Sequence, residues 1–272
     1  VGPKMEVEDI LQWVVILGAL AFLISRVLKI IQRKQNRYVG EKDSQGRRHG
    51  KGTWFLANGD KFEGQFNKNR YLRGKYTYSN GAWYDGAWVD GKKSGKGVEV
   101  YGDKKTKYQG SFSSGLRHGK GTLTHKSGSV YKGDWRKGKK HGKGKFDCAV
   151  GLYEGEYFEG KKQGKGRMTY NSGKFLRYQG RWKNDLQCGQ GKVFYRDGGR
   201  WEGPFKDGVQ HGEGVYFSKD EKKAVHTFDH GKLVEMVVED NGKYTSADDR
   251  KKSLEDDKGA SIDKEMNNKN SK

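Results

Sequence analysis

Over most of this chain apolar and polar residues alternate with the two-residue period of a strand, broken at regular intervals by Gly-rich turns. In Tyr131-Lys132-Gly133-Asp134-Trp135 the two aromatics and the glycine fall at i, i+2 and i+4, so on a strand they share one face. Tyr153-Glu154-Gly155-Glu156-Tyr157 repeats the phrase. A second alternation follows each such phrase, as in Gly52-x-Trp54-x-Leu56, Gly74-x-Tyr76-x-Tyr78, Gly166-x-Met168-x-Tyr170 and Gly191-x-Val193-x-Tyr195. That pattern predicts half-buried antiparallel strands. Turn pairs such as Asn58-Gly59, Asn80-Gly81, Ser127-Gly128 and Ser172-Gly173 then lead into the next phrase. Each unit therefore reads as one β-hairpin.

The hairpins recur. Units begin at Tyr38, Phe62, Tyr84, Tyr108, Tyr131, Tyr153, Tyr178 and Trp201, with a degenerate ninth at His226, and successive starts lie 22 to 25 residues apart. Four copies of a turn phrase mark the period: His49-Gly50-Lys51-Gly52, His118-Gly119-Lys120-Gly121, His141-Gly142-Lys143-Gly144 and His211-Gly212-Glu213-Gly214. A period held this long means a repeat architecture in which each unit packs on its neighbours. The predicted fold is all-β: an elongated, single-layer antiparallel meander of about eight hairpins, with its aromatic rows on one face.

Residues 10–31 break the pattern. From Trp13 to Ile24 no side chain is polar, and Arg26 and Lys29 interrupt the end of the run. About 20 apolar residues cross a bilayer, and the stretch reaches that length if the two cations snorkel. It reads as a single-pass transmembrane anchor; a helix packed on another protein or lying in the membrane interface is the other reading. Glu6, Glu8 and Asp9 precede it, whereas Arg26, Lys29, Arg33, Lys34 and Arg37 accompany and follow its C-terminal end. These five cations are the expected membrane-surface contacts, and they put the repeats on the cytosolic side or its organellar equivalent, matrix or stroma. A cleaved signal peptide would carry its positive charge before the apolar run. The chain thus divides into a short acidic N-terminus (1–9), the anchor (10–31), a basic linker (32–37), the array (38–238) and a polar tail (239–272) with too little apolar surface to fold.

Composition sharpens this picture. Of 272 residues, 32% are hydrophobic, 33% are charged and 42 are Gly, which suits a thin array better than a thick two-layer core. The net charge is +21. Six Lys/Arg against three acids precede the array and eight against nine follow it, so the array itself carries +19. A field of that sign favours acidic partners such as anionic lipids or acidic protein surfaces; a solvated exterior that keeps strand edges apart is the alternative. The two cysteines, Cys148 and Cys188, lie two repeats apart and are expected to be free thiols.

The unit Tyr-x-Gly-x-Trp-x-x-Gly-x-x-His-Gly-x-Gly, carried here with Arg73, Ser94, Gln163 and Cys188 at the His position, resembles the MORN-repeat family (membrane occupation and recognition nexus) over about residues 38–233. The resemblance implies a β-meander that tethers membranes, proteins or cytoskeletal elements, sometimes by self-association, with direct phospholipid binding among the proposals for such repeats.

No catalytic centre is legible. The four phrase histidines should lie about 10 Å apart along the array, too far to share a metal with bonds of roughly 2 Å, and no metal or cofactor is expected. His226 and His230 are four apart, but on strand and turn rather than helix. The Gly-x-Gly copies lack the P-loop phrase. Basic charge with interleaved aromatics would suit nucleic acid, yet packing explains the aromatic spacing, and nucleic acid is not an expected partner. The function expected is a non-catalytic, membrane-anchored scaffold or tether; an accessory subunit of a large membrane complex is the alternative. Without a second layer, the ring row should stay partly open as a groove for a partner protein. Its lining would be Tyr84, Trp88, Tyr108, Phe112, Tyr131, Trp135, Tyr153, Tyr157, Tyr178, Trp182, Trp201 and Phe205.

Overall fold

The computed structural model describes residues 7–33, 35–240 and 243–246. One helix, α1 (Val7–Arg33), precedes the strands. Its apolar side chains from Trp13 to Val27 are exposed. The transmembrane span expected over 10–31 is not borne out: among the described residues no helix is long and apolar enough to cross a membrane. The uncharged apolar run, 13–24, rises only about 18 Å at 1.5 Å per residue, against a hydrocarbon core of about 30 Å.

The strands fall into two units, and the division lies within one strand. The first unit holds β1 (Arg37–Lys42), β2 (Arg48–Phe55), β3 (Lys61–Asn67), β4 (Arg70–Thr77), β5 (Trp83–Val89), β6 (Lys92–Val100), β7 (Lys107–Ser113) and the ends of β8 (Leu116–Thr124). The second holds the middle of β8 and then β9 (Val130–Arg136), β10 (Lys139–Cys148), β11 (Gly151–Phe158), β12 (Lys161–Tyr170), β13 (Phe175–Lys183), β14 (Leu186–Tyr195), β15 (Arg200–Lys206), β16 (Val209–Gln210), β17 (Gly212–Phe217), β18 (Lys223–Asp229), β19 (Lys232–Asp240) and β20 (Lys243–Ser246). Each unit is an antiparallel meander. The tail expected from residue 239 starts inside β19, and β20 pairs with that strand; 241–242 and 247–272 lie outside the described residues.

One hairpin shows why the repeat folds as it does. β9 and β10 pair with Phe146 opposite Tyr131, Gly144 opposite Gly133 and Lys140 opposite Trp135. A bulge separates His141 from Gly144, and Gly142 sits there at φ 55°, a left-handed conformation that favours glycine. Within the hairpin the turn at Lys137-Gly138 has φ of 47° and 82°. Two successive positive values mark a type I′ turn, the form whose twist matches the strands. The same pair of positive φ values recurs at Asp90-Gly91, Ser114-Gly115, Glu159-Gly160, Asp207-Gly208 and His230-Gly231. The turn is also pinned to the hairpin before it. Gly160 N–H donates to Lys140 C=O (2.9 Å), Gly208 to Gln187 (3.1 Å) and Gly231 to Gln210 (2.8 Å). The bulge frees those carbonyls, and the next turn satisfies them.

Candidate functional site

The aromatic face is closed. All twelve rings expected to line an open groove are buried, none more than 7% exposed. They form a zigzag of edge-to-face pairs. In the second unit Tyr131 meets Trp135 (5.1 Å between centroids) and Tyr157 (5.2 Å), and Tyr153 meets Tyr157 and Trp182 (both 5.2 Å). Tyr178 then meets Trp182 (5.3 Å) and Phe205 (4.8 Å), and Trp201 meets Phe205 (5.3 Å). Tyr84 links Trp88 and Phe112 likewise in the first unit, where Phe112 also meets Tyr108. Each such pair contributes about 0.5–1.5 kcal/mol beyond the area it buries.

Two features close the row, and sequence reasoning missed the second. The slot above each glycine holds the ring of its own hairpin: a Cβ at Gly144 would lie 2.5 Å from the Tyr131 ring. Tyr131 Oη then donates to Asp134 C=O (2.9 Å), and Tyr153 and Tyr178 repeat this bond to Glu156 and Arg181 (both 3.0 Å). Burial pushes the phenols of Tyr84 and Tyr108 up to about 12. The second layer is made by long side chains opposite the second aromatic. Lys140 Nζ lies 5.0 Å from the Tyr131 centroid and 3.8 Å from that of Phe146. Lys162 covers Tyr153 (5.0 Å) and Trp182 (4.6 Å), and Lys93 covers Tyr84 (5.4 Å). Burial holds the Lys162 ammonium below its ordinary value. A lysine reads as solvent-facing in a hydropathy pattern, yet its stem and charge together roof a ring.

The opposite face of the second unit has the character expected of a binding surface. Across it runs a row of paired glycines: Gly133 with Gly144, Gly144 with Gly155, Gly155 with Gly166, Gly166 with Gly180, Gly180 with Gly191 and Gly191 with Gly203. Their neighbours at ±1 point away from the rings and wall a trough whose floor is bare backbone. One cleft of about 750 Å³ has Lys120, Lys132, Lys143, Lys145 and Lys165 against Glu154 and Glu156 in its walls. A second, of about 910 Å³, shares Glu154 and Lys165 and adds Arg167, Arg181, Lys192 and Glu202. Some of these charges neutralise one another: Lys120 pairs with Asp134 (2.7 Å), Lys145 and Arg167 with Glu154 (3.1 and 2.5 Å), and Lys192 with Glu202 (2.6 Å). Among the described residues Lys132, Lys143, Lys165 and Arg181 have no ion pair. Of the cations expected at a membrane surface, Arg26 stacks over Phe22 (5.4 Å) and Arg37 over Phe55 (4.6 Å); the side chains of Lys29, Arg33 and Lys34 lie outside the described residues.

The MORN repeat model matches residues 38–61, 84–106, 108–130, 131–152, 153–175, 178–200 and 201–221. The chain belongs to the MORN-repeat family. The unit at Phe62 falls outside the matched MORN repeats, yet it has the same build: Phe62 is buried, Gly64 pairs with Gly74, and Tyr71 replaces the roofing lysine by stacking on Phe62 at 4.1 Å. No curated protein matches this MORN chain. A solved structure, the TCP domain of SAS-4 (dCPAP) of Drosophila melanogaster in complex with a proline-rich motif of Ana2 (dSTIL), is similar at 11% identity over 71% of this chain and 90% of that one, with a TM-score of 0.31. At that score the likeness says nothing about what this chain binds.

In the MORN array His226 stands on β18 and His230 in the turn that follows, as their strand-and-turn reading implied. His226 is buried, stacked on Tyr216 (4.7 Å, 4° between planes), and burial holds its imidazole below the usual value. His230 is turned away from it and lies beside His211, with ring centroids 4.9 Å apart. Cys148 and Cys188 are free.

Proposed function

We propose that this MORN-repeat chain is a non-catalytic scaffold, held at a membrane by α1, whose second unit takes up an extended acidic segment of a partner protein along the glycine-floored trough. Four cations without ion pairs, Lys132, Lys143, Lys165 and Arg181, carry this reading. They stand over backbone that no side chain covers, so an extended chain can lie against the floor while its carboxylates reach the walls. A flat layer of lipid headgroups would meet the same charges but would have no use for the floor. The apolar, exposed side chains from Trp13 to Val27 support membrane attachment, and the basic residues at the C-terminal end of α1 favour an anionic leaflet such as the cytosolic one or its organellar equivalent.

The test uses the full chain in mild detergent, with poly-glutamate and with vesicles of anionic or neutral lipid. Poly-glutamate should bind and be released by salt, because exposed charge pairs are screened within about 10 Å at 0.1 M. Changing the four cations to Gln should weaken that binding at least tenfold while leaving the melting temperature within a few degrees. Equal binding by the Gln variant overturns the trough, and preference for anionic vesicles over poly-glutamate assigns the charge to lipid. Extraction of the chain from cell membranes by salt alone would sink attachment through α1.

A further inference from the structure

A cluster of ligand-bearing side chains lies outside this trough, at the end of the second unit. His211 occupies the break between β16 and β17, where its N–H donates to Pro204 C=O (3.0 Å). Asp229 and His230 come from the turn joining β18 to β19. That turn is held against His211 by backbone: Gly231 N–H donates to the carbonyl of Gln210, the residue just before it. His230, at φ 45°, directs its own N–H toward His211 Nδ1 (3.4 Å). One ligand atom from each of His211, Asp229 and His230 can be chosen so that all three lie within 4.8 Å of one another.

We propose that His211, Asp229 and His230 bind a divalent first-row transition ion of the zinc type. Two imidazoles and a carboxylate are zinc ligands, with bonds of about 2.0–2.2 Å, and tetrahedral geometry then sets ligand atoms roughly 3.4 Å apart. Asp229 Oδ1 lies 2.7 Å from His230 Nδ1 and 3.6 Å from His211 Nδ1, so the two measured edges bracket that spacing. Rotation of three exposed or half-buried side chains closes the remainder, His211 Nδ1 giving up the long hydrogen bond from the His230 N–H so that its lone pair meets the ion, and the fourth position is left to water. Among the described residues no other type I′ turn carries a histidine, and the phrase histidine His141 meets Phe158 instead (5.3 Å). The set arises because the pinned turn delivers two ligands to a phrase histidine that already stands there. A bound ion would staple the β18–β19 turn to the preceding hairpin, at the end of the array where nearest-neighbour support is thinnest.

The experiment is zinc binding to the untagged full chain in mild detergent after chelator treatment, followed by calorimetry and by thermal unfolding. One ion per chain and a rise in melting temperature with added zinc are expected. His230→Asn keeps a residue that tolerates the left-handed turn and should fold normally, with its zinc affinity lowered at least about tenfold. Asp229→Asn should act the same way, whereas His141→Gln should leave binding intact. Absence of saturable zinc binding in the unaltered chain overturns the proposal. So does undiminished binding by folded His230→Asn, since the ion would then sit elsewhere.

Discussion

The two faces of β9 to β15 are made from the same strands and behave as opposites. On one, the rings pack on one another and lysines such as Lys140 and Lys162 lie over them; on the other, the glycines stay bare and four cations stand unpaired. The difference follows from the parity of a strand: Tyr131 and Trp135 point one way, and Lys132 and Asp134 the other. The lesson is that a single sheet can build a core without a second layer when long polar side chains fold back over its rings. The glycine row serves both faces at once, as the seat of a tyrosine on one side and the floor of the trough on the other.

The strongest way to break this division is Trp182→Ala. The ring touches Tyr153 and Tyr178 and lies under Lys162, so its loss should cost about 3–5 kcal/mol. Chemical denaturation of the full chain measures this, and a cost below about 1 kcal/mol would mean that the ring face is open after all. Next comes Gly144→Ala. Its Cβ would run into the Tyr131 ring, and overpacking of this kind costs about 1–3 kcal/mol. The trough, on the far side of the same glycine, gains no new atom. The variant should therefore lose stability but, at temperatures where it stays folded, keep its affinity for poly-glutamate. Smallest is the acid response of His226. Its folded value is lowered by burial, so the unfolded chain binds more protons. Stability is then lost as pH falls through the ordinary histidine range, near 6.5, toward the folded value. His226→Phe should flatten the slope of melting temperature against pH between 7 and 5; an unchanged slope would assign it to other groups.

Much of this was legible in the residues. The period, the two strands of each hairpin and the shared face of Tyr131, Gly133 and Trp135 follow from alternation alone, and the unit at Phe62 is readable because Gly64 and Gly74 keep their places. The closing of the aromatic face was not. Lys140 and Lys162 count as polar in any hydropathy pattern, and only the register that sets them opposite Trp135 and Tyr157 shows what they cover. The meeting of His211 with His230 was hidden for the same reason. Nothing in the order of residues pairs them, and only the bond from Gly231 N–H to the Gln210 carbonyl draws the next turn to His211. The trough likewise needed cross-strand pairing, since the same lysines look like scattered solubilising charge when read in order.

The pinned turns also give the array a direction. In each case the carbonyl that receives a turn comes earlier in the chain than the turn itself: Lys140 before Gly160, Gln187 before Gly208, Gln210 before Gly231. A hairpin emerging from the ribosome therefore meets an acceptor whose own hairpin has already been synthesised. At about 5–20 residues per second a repeat of this length takes roughly one to five seconds to appear, while a hairpin closes in about 1–10 μs. Each unit has time to settle before the next arrives, and the chain can be assembled in the order in which it is translated, every finished hairpin serving as the template for its successor.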